Sequence, residues 1–340
     1  MERKIAINGF GRIGRIFLRT ALVDPELSVV AVNDLGDLEN LAYLFKYDTV
    51  YGRFPGDVKT DQGNHTLVVN GRSIKVLQEK DPTKLPWKEL AIDVVVESTG
   101  AFDSFEKAKV HVETAGARHA VITAPAKDDD GVFGKTILMG VNEHELGSVP
   151  VTSNASCTTN ACASVIWVLT QSLGMEAALL NTTHAYTATQ SLVDSPVKGS
   201  DFRRGRAGAQ NMGPSSTGAA MAVGRVIPEA KGNFDGIAIR VPVACGSLAD
   251  ITFISKRQTS VEEVNEILRA AQGEERWRGI LKVSDEQLVS SDVIGEPYAA
   301  IVDAKMTRVV GGKLVKVLSW YDNEFGYVST LVKHVKKIPL

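Results

Sequence analysis

The first 34 residues contain the pattern that most restricts how this chain folds. A short strand is predicted at 4–7, where Lys4 is followed by three apolar residues. The glycine-rich stretch 9–14 comes directly after it, and apolar residues at helical spacing follow. A second apolar run at 29–32 leads to Asp34, twenty residues after Gly14. This order predicts a strand, a tight turn, a helix and a second strand, which is the arrangement of dinucleotide-binding units.

The need for glycine in this turn has a physical explanation. Gly9, Gly11 and Gly14 allow a tight turn and let a pyrophosphate approach the helix start, where backbone N–H groups and the helix dipole favour an anion. Asp34 is placed to accept hydrogen bonds from ribose hydroxyls. A glycine pattern alone often marks only a turn, but the flanking strand, the helix and the acid together favour cofactor binding.

The following segments continue the alternation of strand and helix. A buried strand at 93–100, a helix at 103–115 and a strand at 120–123 predict a mostly parallel sheet wound on both faces. Ligands bind at the carboxyl ends of such strands, where Asp34, Thr99 and Thr123 lie.

Two other stretches of this half are interpreted as structural. The runs 67–69 and 74–77 flank Asn70-Gly71 and predict a hairpin that takes no part in the chemistry. The stretch 128–131, Asp-Asp-Asp-Gly, lacks the later ligands of a calcium loop, which favours a solvated turn.

A polar stretch with one cysteine lies near the middle of the chain. Residues 153–160 read Ser-Asn-Ala-Ser-Cys-Thr-Thr-Asn, and apolar residues at helical spacing follow, which places Cys157 in or just before the first helical turn. There the unpaired N–H groups bias a thiol toward the reactive thiolate. The alternative is a cysteine that only packs as a small hydrophobe, and the polar flanks argue against such deep burial.

The second half of the chain has a different pattern, typical of a largely antiparallel sheet covered by helices. Strands are predicted near 179–184, 236–244, 248–255, 299–303, 307–310 and 314–320, and helices near 157–173, 217–226, 260–271 and 324–336. We therefore expect an α/β protein with a Rossmann-type doubly wound parallel sheet in residues 1–156 and an α+β catalytic domain in 157–321. The segment 322–340 is expected to pack back on the first domain.

The stretch 153–160 also resembles the nucleophile motif of the phosphorylating glyceraldehyde-3-phosphate dehydrogenase family. Three further stretches agree in the same order: Asn8-Gly-Phe-Gly-Arg-Ile-Gly-Arg15, Ser215-Ser-Thr-Gly-Ala-Ala220 and Trp320-Tyr-Asp-Asn-Glu-Phe-Gly326. The resemblance covers essentially the whole chain. It implies a glycolytic homotetramer that oxidises glyceraldehyde 3-phosphate to 1,3-bisphosphoglycerate with NAD, through a cysteine hemithioacetal and a thioester.

The resemblance also implies roles for individual residues. Cys157 matches the nucleophile, and His184 matches the base that holds the thiolate and takes the hydroxyl proton; on local sequence alone, a strand-end histidine is more often structural. The other five histidines fall in predicted loops or on polar helical surfaces. The implied cofactor residues are Asn8, Gly9, Gly11, Arg12, Ile13, Gly14, Asp34, Lys80, Thr99, Thr123 and Asn323.

Two phosphate sites are implied in the same way. The inorganic phosphate site matches Ser156, Thr158, Thr217 and Gly218, with Arg204 nearby, and the site for the substrate's own phosphate matches Thr187, Thr189 and Arg240. On local sequence alone, the stretch 215–218 fits a plain helix cap equally well.

Composition excludes several other classes. The net charge of −2, without a basic block, argues against a dedicated nucleic-acid partner or a polybasic membrane surface. No apolar run reaches transmembrane length, and three cysteines in 340 residues fit free thiols in a reducing compartment. The start of the chain contains no signal peptide, so a cytoplasmic location is expected. No metal site is expected.

Three alternative functions share some of these sequence features. Erythrose-4-phosphate dehydrogenase, a relative that releases its acid by hydrolysis, is less favoured because the stretch 216–218 suits phosphate as acceptor. A non-enzymatic protein that binds dinucleotide or RNA is opposed by the low basic content, and a cysteine hydrolase leaves the glycine turn unexplained. NAD is the expected cofactor, because Asp34 would repel the 2′-phosphate of NADP. Some use of NADP is also expected, because Ser195 stands where NAD-preferring members of the family often have leucine.

Overall fold

The computed structural model describes residues 2–197 and 199–340, which divide into two compact units. The first unit contains the chain up to Ile137, Glu143–Ala155 and Leu331–Leu340, and the second contains Leu138–Asn142 and Ser156–Thr330. Within the described ranges, no helix is both long and apolar enough to cross a membrane.

The first unit is built on one nine-stranded sheet. In chain order its elements are β1 (Arg3–Asn8), α1 (Arg12–Ala21), β2 (Leu27–Asn33), α2 (Leu38–Lys46), β3 (Val58–Asp61), β4 (Thr66–Val69), β5 (Arg72–Leu77), β6 (Val94–Glu97), α3 (Phe105–Ala108), α4 (Val110–Glu113), β7 (His119–Ile122), β8 (Gly134–Thr136) and β9 (Val151–Ser153).

The strand order of this sheet is β3-β4-β5-β2-β1-β6-β7-β9-β8. The pairs β3–β4 and β4–β5 are antiparallel, and the other neighbours are parallel, which confirms the expected mostly parallel sheet. The central strands are apolar and buried along most of their length, as strands covered on both faces must be. Because β2, β1 and β6 are parallel neighbours, the side chains of Asn33, Asn8 and Glu97 lie at one edge of the sheet.

Two local predictions in this unit have different outcomes. The hairpin is confirmed: β4 and β5 pair in antiparallel register, and Asn70 and Gly71 have φ of 50° and 80°, as a two-residue turn of this type requires. The single helix expected at 103–115 is wrong, because the structure divides it into α3 and α4 at Lys109. That residue keeps a helical backbone, and the turns around it mix hydrogen bonds of different spans.

The second unit begins with the long helix α5. In chain order its elements are α5 (Cys157–Leu173), β10 (Met175–Ala185), β11 (Gly213–Ser216), α6 (Ala219–Val226), β12 (Phe234–Val241), β13 (Ser247–Ser255), α7 (Val261–Gln272), β14 (Leu281–Ser284), β15 (Ala300–Asp303), β16 (Arg308–Val310) and β17 (Leu314–Tyr321). The last helix, α8 (Phe325–Lys337), is divided between the units after Thr330.

The sheet of this unit has the order β11-β12-β10-β13-β17-β15-β14, with β16 paired to β17. The pairs β10–β12 and β14–β15 are parallel and the others antiparallel, which confirms the largely antiparallel prediction. Helix α5 packs on β13, β15 and β17. Its bounds agree with the predicted helix, because Ser156 caps its start and Gly174, with φ of 67°, ends it.

Candidate active site

Cys157 and His184 come together in the second unit. Cys157 is the first residue of α5, and His184 is buried near the end of β10. The Nε2 atom of His184 lies 3.5 Å from the Sγ atom of Cys157. A nucleophile within reach of a nitrogen base is the arrangement that thiol catalysis requires.

Cys157 is less buried than most of the polar residues beside it. Part of the cysteine reaches the surface, but its polar neighbours Ser153, Asn154, Thr158 and Thr159 are buried. The expectation that Cys157 is not deeply buried is confirmed, although its polar neighbours are themselves buried. These side chains satisfy one another or the backbone instead: the Ser156 hydroxyl, for example, accepts from the backbone N–H of Thr159 at 3.0 Å.

Burial controls the protonation of both groups. Desolvation raises the pKa of the Cys157 thiol, although the charge of Arg240 and hydrogen bonds from Thr158 act in the opposite direction. Desolvation, helped by Arg240, lowers the pKa of His184 to about 3. These shifts favour a neutral thiol beside a neutral imidazole, and the role of His184 as the base remains a prediction.

Arg240 contacts the other side of the same imidazole. It lies on β12 in register with His184, and its Nη1 atom is 2.7 Å from Nδ1 of His184 and 3.2 Å from the carbonyl oxygen of Ala185. A guanidinium only donates hydrogen bonds, so Nδ1 accepts here. When Nδ1 accepts from Arg240, the proton of the neutral ring is on Nε2, facing Cys157; when Nδ1 donates to the Ala185 carbonyl oxygen, 2.7 Å away, Nε2 is the accepting atom.

Hydrogen bonds join three of the residues predicted for the two phosphate sites. Thr187 and Thr189 are joined through their hydroxyls at 2.9 Å, and Arg204 donates to the Thr189 hydroxyl at 3.2 Å. Arg204, assigned by resemblance to the inorganic phosphate group, is thus hydrogen-bonded to a residue of the other group. Thr217 and Gly218 directly precede α6, and the Thr217 hydroxyl accepts from the N–H of Ala219.

Tyr321 is a further residue of this site. It lies in the motif at 320–326, but no role was predicted for it from the sequence. Its hydroxyl lies 2.9 Å from the hydroxyl of Thr158 and 2.8 Å from that of Thr182, and its ring lies edge-on to His184. Burial raises the pKa of Tyr321, so it stays protonated and serves as a hydrogen-bonding support between α5 and β10. Its position at the end of an apolar strand was the available signal.

The first unit has a cavity of about 580 Å³ at the carboxyl ends of β1, β2 and β6. Its lining includes six of the predicted cofactor residues, namely Asn8, Gly9, Gly11, Asp34, Lys80 and Thr99. Four others in this unit, Arg12, Ile13, Gly14 and Thr123, lie outside that lining. The side chain of Arg12 pairs with Asp48.

The glycine turn beside this cavity fits a close-lying phosphate. A Cβ atom at Gly9, where φ is 95°, would be 2.5 Å from the backbone nitrogen of Thr99, and one at Gly14 would be 2.3 Å from the carbonyl oxygen of Gly9. Gly11 meets no atom within 4 Å, which leaves open space at the start of α1. Chain packing requires the first and third glycines, and the second leaves room for a ligand.

The carboxylate at the end of β2 is held in place by the backbone. Asp34 accepts hydrogen bonds from the N–H groups of Phe10 at 2.7 Å and Gly36 at 2.9 Å. A carboxylate has further lone pairs, so Asp34 can still accept from ribose hydroxyls.

Asn323, the remaining predicted cofactor residue, lies in the second unit. Its Oδ1 atom accepts from the N–H of Gly246 at 3.1 Å and the hydroxyl of Ser247 at 2.9 Å. Its amide NH₂ group is thereby oriented away from these two donors.

The structure corrects the predicted exposure of three other histidines. His111, His119 and His334 are fully or almost fully buried, whereas they were placed in loops or on polar helical surfaces. Each has a hydrogen-bonding partner inside the first unit. The pattern along the chain did not indicate their burial, because it depends on packing against Glu97 and Thr152 on other elements. In the part of the chain that the structure describes, no cluster of three or more His, Cys, Asp or Glu is arranged to hold a metal ion.

A dinucleotide-type sheet with a glycine turn, together with a cysteine–histidine pair at a helix start, defines the class of nicotinamide-dependent dehydrogenases that act through a cysteine. Comparison with known proteins narrows this class. The family description "Glyceraldehyde 3-phosphate dehydrogenase, NAD binding domain" matches residues 3–105, and the corresponding "C-terminal domain" matches residues 156–323. The chain belongs to the glyceraldehyde-3-phosphate dehydrogenase family.

Individual relatives agree over almost their full length. A glyceraldehyde-3-phosphate dehydrogenase of Clostridium pasteurianum is 48% identical over 334 residues, covering 97% of this chain and 96% of the relative. One from Thermotoga maritima is 48% identical, covering 97% of each chain. Glyceraldehyde-3-phosphate dehydrogenase 2 of Bacillus subtilis is 45% identical, covering 98% of this chain and 97% of the relative.

Proposed function

We propose that this protein oxidises glyceraldehyde 3-phosphate with NAD and inorganic phosphate and releases 1,3-bisphosphoglycerate. The observation that carries the proposal is the pair formed by Cys157 and His184 at 3.5 Å, at the start of a helix in a chain of this family. In this proposal, residues 1–156 are the dinucleotide-binding domain and residues 157–321 the catalytic domain.

The first chemical step is the addition of the Cys157 thiol to the aldehyde. A bond forms between sulfur and the carbonyl carbon, and the carbonyl oxygen becomes the hydroxyl of a hemithioacetal. His184 then takes the hydroxyl proton while a hydride leaves the same carbon, so the product on Cys157 is a thioester. NAD, when bound, would supply the hydride acceptor.

Arg240 connects substrate binding to the state of this base. While Arg240 donates to Nδ1, the ring proton is on Nε2, which therefore cannot accept another without forming a cation. The substrate's phosphate attracts the guanidinium, and Nδ1 is then free to carry the proton and donate it to the Ala185 carbonyl oxygen, 2.7 Å away. Nε2 becomes the accepting atom.

The second chemical step uses inorganic phosphate. A phosphate oxygen attacks the acyl carbon, the carbon–sulfur bond breaks, and the departing thiolate recovers a proton from His184. Ser156, Thr158, Thr217 and Gly218 supply hydroxyl and backbone donors for this anion, and Thr187, Thr189 and Arg240 bind the phosphate that the substrate carries. Arg204 is hydrogen-bonded to Thr189, so it supports either group.

The proposal includes assembly into a homotetramer. The outer face of the second sheet exposes large apolar side chains on neighbouring strands, among them Leu179 at 65% and Ile237 at 53% exposure. Contiguous apolar surface of this kind is typical of protein–protein interfaces. Replacing Ile237 with lysine should reduce the mass measured by light scattering, and an unchanged mass would show that this face is not an interface.

A cytoplasmic location belongs to the same proposal, because Cys157 must remain reduced to act and the chain has only three cysteines.

The experiment that tests the function is a stopped-flow measurement of NADH formation from glyceraldehyde 3-phosphate. We expect a rapid burst equal to the number of Cys157 sites, followed by steady turnover only when inorganic phosphate is present. Turnover without phosphate would point to a hydrolytic enzyme, and the absence of any NADH would contradict the proposal.

A further inference from the structure

A buried polar network lies behind the cofactor cavity, and no step of the proposed mechanism uses it. Its centre is Glu97, the last residue of β6, which is only 2% exposed. The Oε2 atom of Glu97 is 2.6 Å from Nδ2 of Asn8 and 3.0 Å from Nε2 of His111. Its Oε1 atom accepts from both the backbone N–H and the hydroxyl of Thr99.

The direction of these hydrogen bonds is determined by chemistry. The indole nitrogen of Trp87 lies 3.2 Å from Nδ1 of His111, and an indole N–H can only donate, so Nδ1 of His111 accepts. The ring proton of His111 is therefore on Nε2 and is donated to Glu97. All the neighbours of Glu97 named above are donors, which suits an ionised carboxylate that only accepts.

The orientation imposed by Glu97 continues across the sheet. Because the Asn8 amide turns its NH₂ group to Glu97, its oxygen faces the next strand, where it accepts from Nδ2 of Asn33 at 2.7 Å. The oxygen of Asn33 then accepts from the backbone N–H of Glu79 at 2.9 Å, and its NH₂ group also donates to the carbonyl of Glu79 at 3.0 Å. We call this series, from Glu97 through Asn8 and Asn33 to the Glu79 backbone, the Glu97 relay.

The Glu97 relay joins the walls of the cavity. Four residues that belong to the relay or donate to Glu97 line the cavity, at or just after the ends of four neighbouring strands: Asn8, Asn33, Glu79 and Thr99. Glu97 itself is not part of the lining. Each amide in the relay has one satisfactory orientation, since turning any one of them would oppose donor to donor or acceptor to acceptor.

We infer that Glu97 is a positioning residue for the dinucleotide, which holds the cavity in its binding shape by fixing the direction of every hydrogen bond in the Glu97 relay. The inference rests on the proposed binding of NAD in this cavity. It concerns the half of the cofactor that lies beside Asp34, namely the adenosine half, because the cavity is formed around the strand ends that carry Asp34 and Asn33.

The test is Glu97→Gln, which keeps the shape of the side chain and removes its charge. A glutamine must turn its NH₂ group toward either Asn8 or Thr99, both of which already donate. We expect the Kd values for NAD and for adenosine monophosphate to rise by the same factor, about tenfold or more. Turnover at saturating NAD should stay within about twofold of the wild type, because Cys157 and His184 are unchanged.

A second readout reports on the relay itself. The amide hydrogen of Glu79 should exchange faster with solvent in Glu97→Gln than in the wild type, although the two residues are joined only through Asn8 and Asn33. If the glutamine variant does not fold, His111→Leu removes one donor to Glu97 from outside the cavity, and the Kd for NAD should still rise several-fold.

A matched control is available in the same sheet. Thr152 on β9 lies in a separate buried network, 3.0 Å from Nε2 of His119 and 2.8 Å from Nε2 of His334, and does not line the cavity. Thr152→Val should lower stability while leaving the Kd for NAD unchanged. The inference is overturned if Glu97→Gln binds NAD as tightly as the wild type, or if Thr152→Val weakens NAD binding equally. A wild-type protein that does not bind NAD would instead refute the proposed function.

Discussion

The Nε2 atom of His184 lies 3.5 Å from the Sγ atom of Cys157, although the pKa values of the two groups oppose proton transfer in the unliganded protein. Burial makes both charged forms unfavourable. The proposed mechanism accordingly begins from a neutral thiol, whose addition to the aldehyde gives the hemithioacetal.

Cys157→Ser should abolish oxidation of the aldehyde and leave NAD binding largely intact, because a serine hydroxyl is a far weaker nucleophile at neutral pH. Stopped-flow detection of NADH and titration with NAD measure the two properties. The matched control is Cys162→Ala in the same helix. Burial raises the pKa of Cys162 to about 12, so this thiol is inert and its removal should preserve the burst. A Cys157→Ser variant with near wild-type turnover would show that the mechanism is not covalent.

His184→Asn should slow the burst of NADH by about 10²–10⁴-fold, because the general base is lost. The pH dependence should change as well. The pKa of His184 is about 3, so protonation of this ring should not limit the wild-type burst between pH 5 and pH 7. Without the base, the rate should rise about tenfold for each pH unit until the thiol ionises. The control is His144→Gln at an exposed position. Parallel pH profiles for wild type and His184→Asn would exclude His184 as the base.

The sequence predicted most elements that have clear periodicity or turn chemistry. Helix α5 and the β4–β5 hairpin were predicted well, because Ser156, Gly174 and Asn70-Gly71 act locally. Helix α2 and the short strands β3, β8, β9, β11 and β14 were missed. The three-residue strands β8 and β9 show too little alternation to be recognised, and their pairing depends on distant neighbours.

The site divides in the same way. The glycine turn and Asp34 were found from spacing alone, since they follow one another along a single strand–helix–strand unit. The approach of His184 to Cys157 depends on how β10 packs beside α5, and only the resemblance indicated it. The Glu97 relay was missed because it joins the ends of separate strands, and polar side chains in such positions give no periodic signal.

Acid should destabilise the first unit through two buried histidines. Burial lowers the pKa of His119 to about 4, and burial together with His119 lowers that of His334 to about 3. In the unfolded chain both would titrate near 6.5. The unfolded state therefore binds more protons as the pH falls below about 6.5, and the free energy of unfolding should fall by up to about 1.4 kcal/mol per pH unit for each histidine until the folded pKa is reached.

This effect is measured as the free energy of unfolding in urea, for the wild type and for His334→Gln. Both proteins are compared at pH 7 and pH 5 and at one protein concentration. The variant should be less stable at pH 7 but should lose less stability between the two pH values, because one proton-binding group is missing from the unfolded state. His144→Gln, at an exposed position, should show the wild-type pH dependence. An equal acid-induced loss in His334→Gln would mean that this histidine does not contribute.

NAD should be preferred over NADP, and Asp34 should be the selecting group. A 2′-phosphate beside Asp34 would bring like charges together, and residues 35–39 contain no Arg or Lys to offset them. Ser195 is exposed and hydrogen-bonded to Ser191 at 2.8 Å, so it offers at most one neutral donor to such a phosphate. One such bond contributes about 0.5–1.5 kcal/mol, whereas a close like-charge contact costs several kcal/mol.

Asp34→Asn tests this choice with the least change in shape, because an asparagine oxygen can still accept from one of the two N–H groups that hold Asp34. The measurement is the ratio of kcat/KM for NAD to that for NADP. We expect the wild-type ratio to favour NAD, with some activity on NADP, and the variant ratio to fall by about tenfold or more. Ser195→Ala is the matched control and should change the ratio by less than Asp34→Asn. A wild-type preference for NADP, or an Asp34→Asn ratio equal to that of the wild type, would show that the carboxylate does not select the cofactor.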